Sequence, residues 1–439
     1  MTSSESGPRL IDRRMVMLRR VASAFSVLAS LGSFAAASLI SAVGPLLVIP
    51  AISRVGGVAG WASIAIGQSV GLLASIVVVW GWAVHGPILA GRAHDEAEVR
   101  RLTFESSSIR IALLALVVVP ASVISWGMSD PHGFLSALTA IGMASSGLTF
   151  SWFFVGVRQP LKLILLDSLP RLLASLLSFG AVLYWQNLLL YPLILVLTNC
   201  GLFVLNLRVI SGLWAIPIGY FSTRTLIRIF SRTVHVGLSQ LASAVYINGA
   251  VLLVAMASAE AVAEFAAANR IYLASVTATV PFFQFFSGWV VHEHSRFRRR
   301  VVLAVVCQGL VGLSCIPLIY YAFPWMTNLL FSGQVDVTPT VAALSAVSVG
   351  IVVVSRAVGS HVLLATGMTR SLAYSAFVGC GVAIIFLPVG SWFFGAVGGS
   401  VALVMTELTV LVFQCLSKLL RRIEVEPYVG VSAYRSSNG

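Results

Sequence analysis

Charge is what this chain has least of. Only 10% of its 439 residues are Asp, Glu, Lys or Arg, while 58% are hydrophobic, and the mean hydropathy is +0.96. A folded surface facing water needs far more charge than that. Cysteine is also scarce, and Cys200, Cys307, Cys315, Cys380 and Cys415 all fall in apolar stretches with no CxxC or metal-ligand spacing. They read as small packing residues, and neither a metal nor a cofactor is expected. There is no GxxxxGK[ST] phosphate loop, no HExxH and no DxD pair. His292-Glu293-His294 lies in a basic segment, where solvated charge is the default reading. The connections between apolar runs on the side opposite the basic loops are short. They leave no room for the placed carboxylates of a glycan polymerase, ligase or lipid-dependent glycosyltransferase, so nothing points to an enzyme.

What the chain does have is repeated apolar runs of about 20 residues, the length that crosses a bilayer. Candidate spans lie near 30–53, 61–84, 109–128, 134–156, 161–184, 188–210, 234–257, 262–290, 301–323, 338–364, 371–389 and 391–416. The expectation is an all-α polytopic membrane protein with about twelve transmembrane helices. The formal charge of +13 is not a nucleic-acid signature, because its placement follows the spans. Arg9 to Arg20, Arg92 to Arg101, Arg158 and Lys162, Arg224 to Arg232, Arg296 to Arg300, Arg370 and Lys418 to Arg435 alternate with connections carrying Asp130, Glu260 and Asp336. Of the basic residues, only Arg54 falls near those acidic connections. By the positive-inside rule both termini are cytoplasmic. Trp61, Trp126, Trp185, Trp325 and Trp392 are expected at outer helix ends, and Trp80, Trp82, Trp152, Trp214 and Trp289 at inner ones, as two aromatic belts. Asp12-Arg13-Arg14-Met15 superficially resembles a twin-arginine signal, but cleavage after it would remove the first span and upset the charge alternation.

Two short echoes divide the chain. Leu46-Leu47-Val48 with Val58-Ala59-Gly60-Trp61-Ala62 matches Leu252-Leu253-Val254 with Val262-Ala263-Glu264-Phe265-Ala266, and Leu195 to Asn199 (LVLTN) matches Leu403 to Glu407 (LVMTE). A nearly constant offset argues for duplication of a six-helix unit. An even number of spans relates the copies by an axis along the membrane normal. The expected organisation is a cytoplasmic tail over 1–29, a first six-helix lobe over 30–210, a linker over 211–233, a second lobe over 234–416 and a tail over 417–439. The linker, with Arg224, Arg228 and Arg232 at helical spacing, is either an amphipathic helix on the inner interface or a solvated basic loop.

The most informative polar residue is Arg270, set among Ala266 and Ala274 in a span otherwise suited to lipid. An arginine near mid-bilayer costs about 2.5–3.5 kcal/mol on insertion scales, so it faces either a cavity or a carboxylate on another helix. Arg54 points into an outer vestibule or snorkels to the headgroups. Asp167 and Arg171 have the i, i+4 spacing of a structural pair. Arg356 and Glu407 lie at similar predicted depth, as an interhelical ion pair or, with Glu407 exchanging a proton, as a coupling device. Gln240, Ser243 and Asn248 share a face suited to sugar hydroxyls or to interhelical hydrogen bonding.

Pro45 to Trp61 (PLLVIPAISRVGGVAGW), Ser151 to Gly156 (SWFFVG), Val262 to Tyr272 (VAEFAAANRIY) and Phe394 to Glu407 (FGAVGGSVALVMTE) carry a resemblance spanning nearly the whole chain. The sequence resembles polysaccharide (O-antigen type, Wzx-like) flippases of the multidrug/oligosaccharidyl-lipid/polysaccharide exporter superfamily. It departs from them at Glu264, which stands where the first repeat has Gly60, and at Arg356. The resemblance implies two six-helix lobes around a central cationic cavity in the bacterial plasma membrane. It also implies transport of a polyprenyl-diphosphate-linked glycan between leaflets by alternating access, beside other polysaccharide-assembly membrane proteins. In that setting Arg270, with Arg54, Asn269 and Gln240, would contact the substrate head group. A drug or cation exporter of the same superfamily should instead line its cavity with acids. A non-transporting scaffold for envelope-glycan enzymes should carry a strongly polar tail or extra domain.

The charge alternation gives a first prediction. Single cysteines placed at 130, 260 and 336 in a cysteine-free background should react with a membrane-impermeant maleimide in intact cells. Labelling of position 336 only after the cells are opened would overturn the topology.

Overall fold

The computed structural model describes residues 7–93, 95–221, 223–280, 282–283, 286, 290 and 297–421. Trp289, Arg296, the His292-Glu293-His294 motif and the basic residues from Arg422 onward lie outside them. Every regular element among the described residues is helical. In chain order they include α1 (Gly7–Val79), α2 (Trp82–Arg92), α3 (Glu96–Gly127), α4 (Gly133–Ser145), α5 (Ser151–Gly156), α6 (Pro160–Leu163), α7 (Leu169–Trp185) and α8 (Leu190–Ser211). There follow α9 (Thr223–Ile247), α10 (Ala250–Ala255), α11 (Val262–Ala278), α12 (Phe297–Phe331), α13 (Pro339–Ala357) and α14 (Thr369–Arg421). Local chemistry sets several boundaries. The Asp95 side chain caps α3 by accepting from the Glu98 N–H at 2.7 Å, Pro339 opens α13, and Gly212 ends α8 with φ +76°.

Among the described residues, eight helices are long and apolar enough to cross a membrane. Two of them, Val43–Arg92 and Arg370–Leu419, contain 50 residues each. Straight, each would be about 75 Å long, more than twice the hydrocarbon thickness. Both break helical geometry at a glycine: Gly57 has φ +57° and ψ −156°, and Gly395 has φ +57° and ψ −138°. Residues with a Cβ avoid this conformation. At the second break the chain returns on itself so tightly that a Cβ on Gly398 would stand 1.9 Å from the Gly390 carbonyl oxygen. The break at Gly57 falls between the first and second expected spans, whereas that at Gly395 falls near the start of the expected twelfth span rather than between spans. The seventh span is interrupted between α9 and α10, and the eighth runs from α11 into residues outside the described set. The count of eight among the described residues takes each kinked segment as one helix and includes no part of the expected seventh and eighth spans.

One apolar cluster runs through both halves of the chain, from Val48 and Trp61 to Phe265, Ala346 and Leu403, and α1 packs against α3, α4 and α7 as well as α11 and α12. A second cluster holds Trp80, Trp82, Phe150 and Trp152. This corrects the expected inner belt. Trp80, Trp82 and Trp152 are buried, with Trp82 and Trp152 rings 5.2 Å apart, and Trp214 is the exposed inner tryptophan among the described residues. Of the expected outer set, Trp126, Trp185, Trp325 and Trp392 are exposed, but Trp61 is fully buried and donates from Nε1 to the Ala263 carbonyl at 3.1 Å. An indole at a helix end serves equally as a packing wedge when another helix covers it.

The basic segment from Thr223 does not form a separate interfacial helix. It continues without a break into the seventh span as α9, because no glycine or proline occurs between Thr223 and Val236. The ring of Phe230 stacks on Trp80 at 4.4 Å, tying α9 to the first half.

The tight return at Gly395 yields a stability prediction. Gly398→Ala should destabilise the protein by about 1–3 kcal/mol through overpacking. Gly381→Ala, where an added Cβ meets nothing within 4 Å, should leave the thermal unfolding midpoint in detergent unchanged.

Candidate functional site

The two halves of the chain carry polar residues at the same spacing: Asn199 and Asn206 on α8, and Glu407 and Gln414 on α14. Asn199 Nδ2 donates to the Gly142 carbonyl at 2.9 Å and to Ser145 Oγ at 3.0 Å, and its Oδ1 accepts from Arg171 Nη1 at 2.6 Å. Glu407 Oε1 accepts from Tyr272 Oη at 2.8 Å. Gln414 Nε2 donates to Ser375 Oγ at 3.3 Å, and its Oε1 accepts from Ser355 Oγ at 3.2 Å. Each half encloses a cavity beside these residues. The first, about 200 Å³, is lined by Arg171, Tyr191, Ser146 and Thr198. The second, about 290 Å³, is lined by Arg356, Glu407, Tyr246, Tyr272, Ser355 and Gln414. A π-helical stretch borders each site: Ile164–Ser168 carries Asp167, and Val358–Leu364 places Gly359 and Ser360 in the second cavity wall. Such stretches free backbone groups and recur at functional sites.

The expected Asp167–Arg171 pair is present, with Nε to Oδ1 at 3.3 Å, and Asp167 also accepts from Thr149 Oγ1 at 2.7 Å. Arg356 and Glu407 share the second cavity. Arg356 is close enough to act on the carboxylate through space, but no direct ion pair joins them, and Tyr272 holds the near oxygen. Arg54 is exposed and donates from Nε to Ser332 Oγ at 3.0 Å. That contact joins the end of the first span to the turn after α12. Arg270 is half-buried on α11 and faces the first half, within electrostatic reach of Tyr191, whose hydroxyl accepts from Gln68 Nε2 at 2.7 Å. No carboxylate among the described residues pairs with Arg270. Beside it, Asn269 is buried, with Oδ1 lacking a hydrogen-bond partner among the described residues. Gln240 is half-buried on α9. Glu264 has a structural use: its Oε1 accepts from the backbone N–H of Thr338 at 2.9 Å and from its hydroxyl at 2.8 Å, which caps α13. Asn248 contributes its backbone, with its carbonyl accepting from Ser69 Oγ of the first half at 2.6 Å.

Sequence reasoning missed Arg110. It is fully buried on α3, donates to the carbonyls of Ser106 at 3.1 Å, Gly147 at 3.4 Å and Thr149, and lies 4.8 Å over the Phe150 ring. The carbonyls of Gly147 and Thr149 are backbone groups released where α4 gives way to a 3₁₀ turn at Ser146–Leu148, and that of Ser106 lies one turn back in α3 itself. The signal was faint: no proline marks the break, only Ser145-Ser146-Gly147. Gln68, Tyr191 and Tyr272 were passed over because single amides and tyrosines in apolar spans carry no spacing pattern.

Long kinked helices, π-helical interruptions at polar cavities and an arginine between the two halves are features of a multi-pass membrane protein. Residues 27–286, more than half of the chain, match the family described as Polysaccharide biosynthesis protein, and the chain belongs to that family. It is 18% identical over 379 residues, 84% of this chain and 94% of the relative, to a Shigella dysenteriae protein described as "Putative O-antigen transporter". Its fold is similar to that of the lipid II flippase MurJ in an inward closed conformation, with TM-score 0.61 and 12% identity over 88% of this chain and 87% of that one. It is similar also to the eukaryotic MATE transporter AtDTX14, with TM-score 0.56 and 17% identity over 90% of this chain and 95% of that one.

The role assigned to Arg110 can be measured. Arg110→Met orphans buried carbonyls, each at a cost of about 1–3 kcal/mol. It should therefore lower the thermal midpoint of the purified protein clearly, while Arg101→Met, at a largely exposed side chain, should not.

Proposed function

We propose that the protein is a flippase that moves a polyprenyl-diphosphate-linked oligosaccharide or polysaccharide repeat unit from the inner to the outer leaflet of a bacterial plasma membrane, with both termini cytoplasmic. The observation that carries this reading is Arg270, a guanidinium between the two halves that pairs with no carboxylate among the described residues. An uncompensated cation in a low-dielectric setting favours an anionic visitor. A diphosphate suits it, because guanidinium donors form parallel charge-assisted hydrogen bonds to two of its oxygens. Family membership and the name of the Shigella relative support a glycan as the cargo. The prenyl tail would remain in lipid, so only the head group needs shelter between two six-helix lobes, and alternating access would expose it to each leaflet in turn. Asn269, with its unpartnered oxygen, and Gln240 are the proposed neighbours for sugar hydroxyls. Arg54, engaged with Ser332, would assist from the outer end once that contact opens. Lipids and other polysaccharide-assembly membrane proteins are the proposed surroundings. Drug export is the weaker reading, because a cationic cargo would meet Arg270 without an acid to offset it.

The test is transport in cells lacking their own lipid-linked glycan flippase. Arg270→Lys should retain part of the activity, since lysine keeps the charge but not the two-pronged geometry, and Arg270→Gln should lose nearly all of it at normal membrane levels. Normal transport by Arg270→Gln would make the charge structural and remove the reading's main support.

A further inference from the structure

The two cavities differ in one respect that bears on what they hold. In the first, the arginine is spent: Arg171 is bonded to both Asp167 and Asn199. In the second, Arg356 is exposed to the cavity and makes no hydrogen bond or ion pair with a described residue, although Glu407 lies near enough to feel its charge. The nearly buried Glu407 accepts from Tyr272 through Oε1, which leaves Oε2 as an acceptor. Ser355 and Gln414, both buried, bond to each other and leave the second amide N–H and the serine lone pairs over. The ring of Tyr246 adds an apolar wall with a hydroxyl at its edge.

We infer that this second-half cavity is a binding subsite for one uncharged sugar ring. A sugar hydroxyl is donor and acceptor at once, and the cavity offers a five-donor guanidinium, a carboxylate acceptor, an amide and hydroxyls in a single small space. An anion would meet Glu407 and a cation would meet Arg356, and at low dielectric such like-charge contacts are costly. An uncharged polyol meets neither penalty. About 290 Å³ is just below the usual range for drug-sized ligands, which fits one pyranose and excludes an extended oligosaccharide. The biological meaning of the subsite rests on the flippase reading, as a place for one sugar of the head group, but the binding chemistry does not.

Saturation-transfer NMR on the detergent-purified full chain tests it. The probes are the methyl glycosides of glucose, galactose, mannose and N-acetylglucosamine, with sodium glucuronate and inorganic phosphate as charged competitors. At least one neutral glycoside should receive saturation and should not be displaced by either competitor. The signal should fall about fivefold, the equivalent of one ordinary hydrogen bond, in Tyr246→Phe and further in Arg356→Gln. Tyr246→Phe removes only a hydroxyl, so it carries the test if Arg356→Gln does not fold. Absence of transfer to every glycoside, displacement by glucuronate or phosphate, or a signal indifferent to Tyr246→Phe overturns the subsite. Arg270→Gln separates the two readings: glycoside binding that persists while transport is lost supports both. Transport that depends on Arg270 without any glycoside binding removes the subsite alone, binding with normal Arg270→Gln transport removes only the role given to Arg270, and binding with no transport by the unaltered protein removes the flippase reading alone.

Discussion

Polar groups carried into lipid must find partners inside the protein, and most distinctive features of this structure follow from that constraint. A continuous helix meets it automatically, because its backbone bonds to itself. At three of the interruptions here a side chain from elsewhere takes over. Arg110 from α3 supplies donors to Gly147 and Thr149 where α4 breaks. Ser69 from α1 donates to the Asn248 carbonyl and accepts from the Leu252 N–H where α9 gives way to α10. Glu264 closes the start of α13. Each repair uses a polar residue that sequence alone would list as an anomaly in an apolar span.

The same constraint shapes how the two halves differ. Helices α8 and α14 both carry polar residues seven positions apart, but the first half closes its set internally. Asp167, Arg171 and Asn199 satisfy one another and are tied on to Thr149 and Ser145. With Glu407 in place of Asn199 and Ser375 bonded to Gln414, the second half leaves a cation and a carboxylate oxygen facing a cavity. Buried networks that are fully satisfied rigidify a core, whereas partly satisfied ones are costly unless something enters to complete them. One half thus reads as scaffold, and the other keeps unused hydrogen-bonding capacity.

Much of the fold was legible because lipid imposes long, simple patterns. The break at Gly57 falls between predicted spans, and Asp130, Glu260 and Asp336 lie exposed in connections, while the break at Gly395 falls just inside the predicted twelfth span. Asp167 and Arg171 pair as their spacing implies. What was not legible depends on the third dimension. Trp61, Trp80, Trp82 and Trp152 have the sequence positions of belt residues, and only the packing of other helices over them makes them core. The site was legible in its parts and not in its assembly. Arg270 stood out from its apolar neighbours, but its facing Tyr191 and the Gln68 behind it belong to helices distant in sequence. Arg356 and Glu407 were matched by depth, and Tyr272, which holds the carboxylate, carries no charge to announce itself.

Arg270 occupies a position where its surroundings depend on how the halves are placed. Its nearest electrostatic partner, Tyr191, is in the first half, and Trp61–Ala263, Ser69–Asn248 and Arg54–Ser332 are also contacts between the halves. A relative movement of the halves must therefore exchange these hydrogen bonds and change what faces the guanidinium. A ligand can drive such a movement only by the difference in its affinity for the two arrangements. A cation paired to a carboxylate on its own half would present nearly the same environment in both. Among the described residues Arg270 has a neutral tyrosine within electrostatic reach and no carboxylate paired to it, which leaves an arriving anion the largest difference to make.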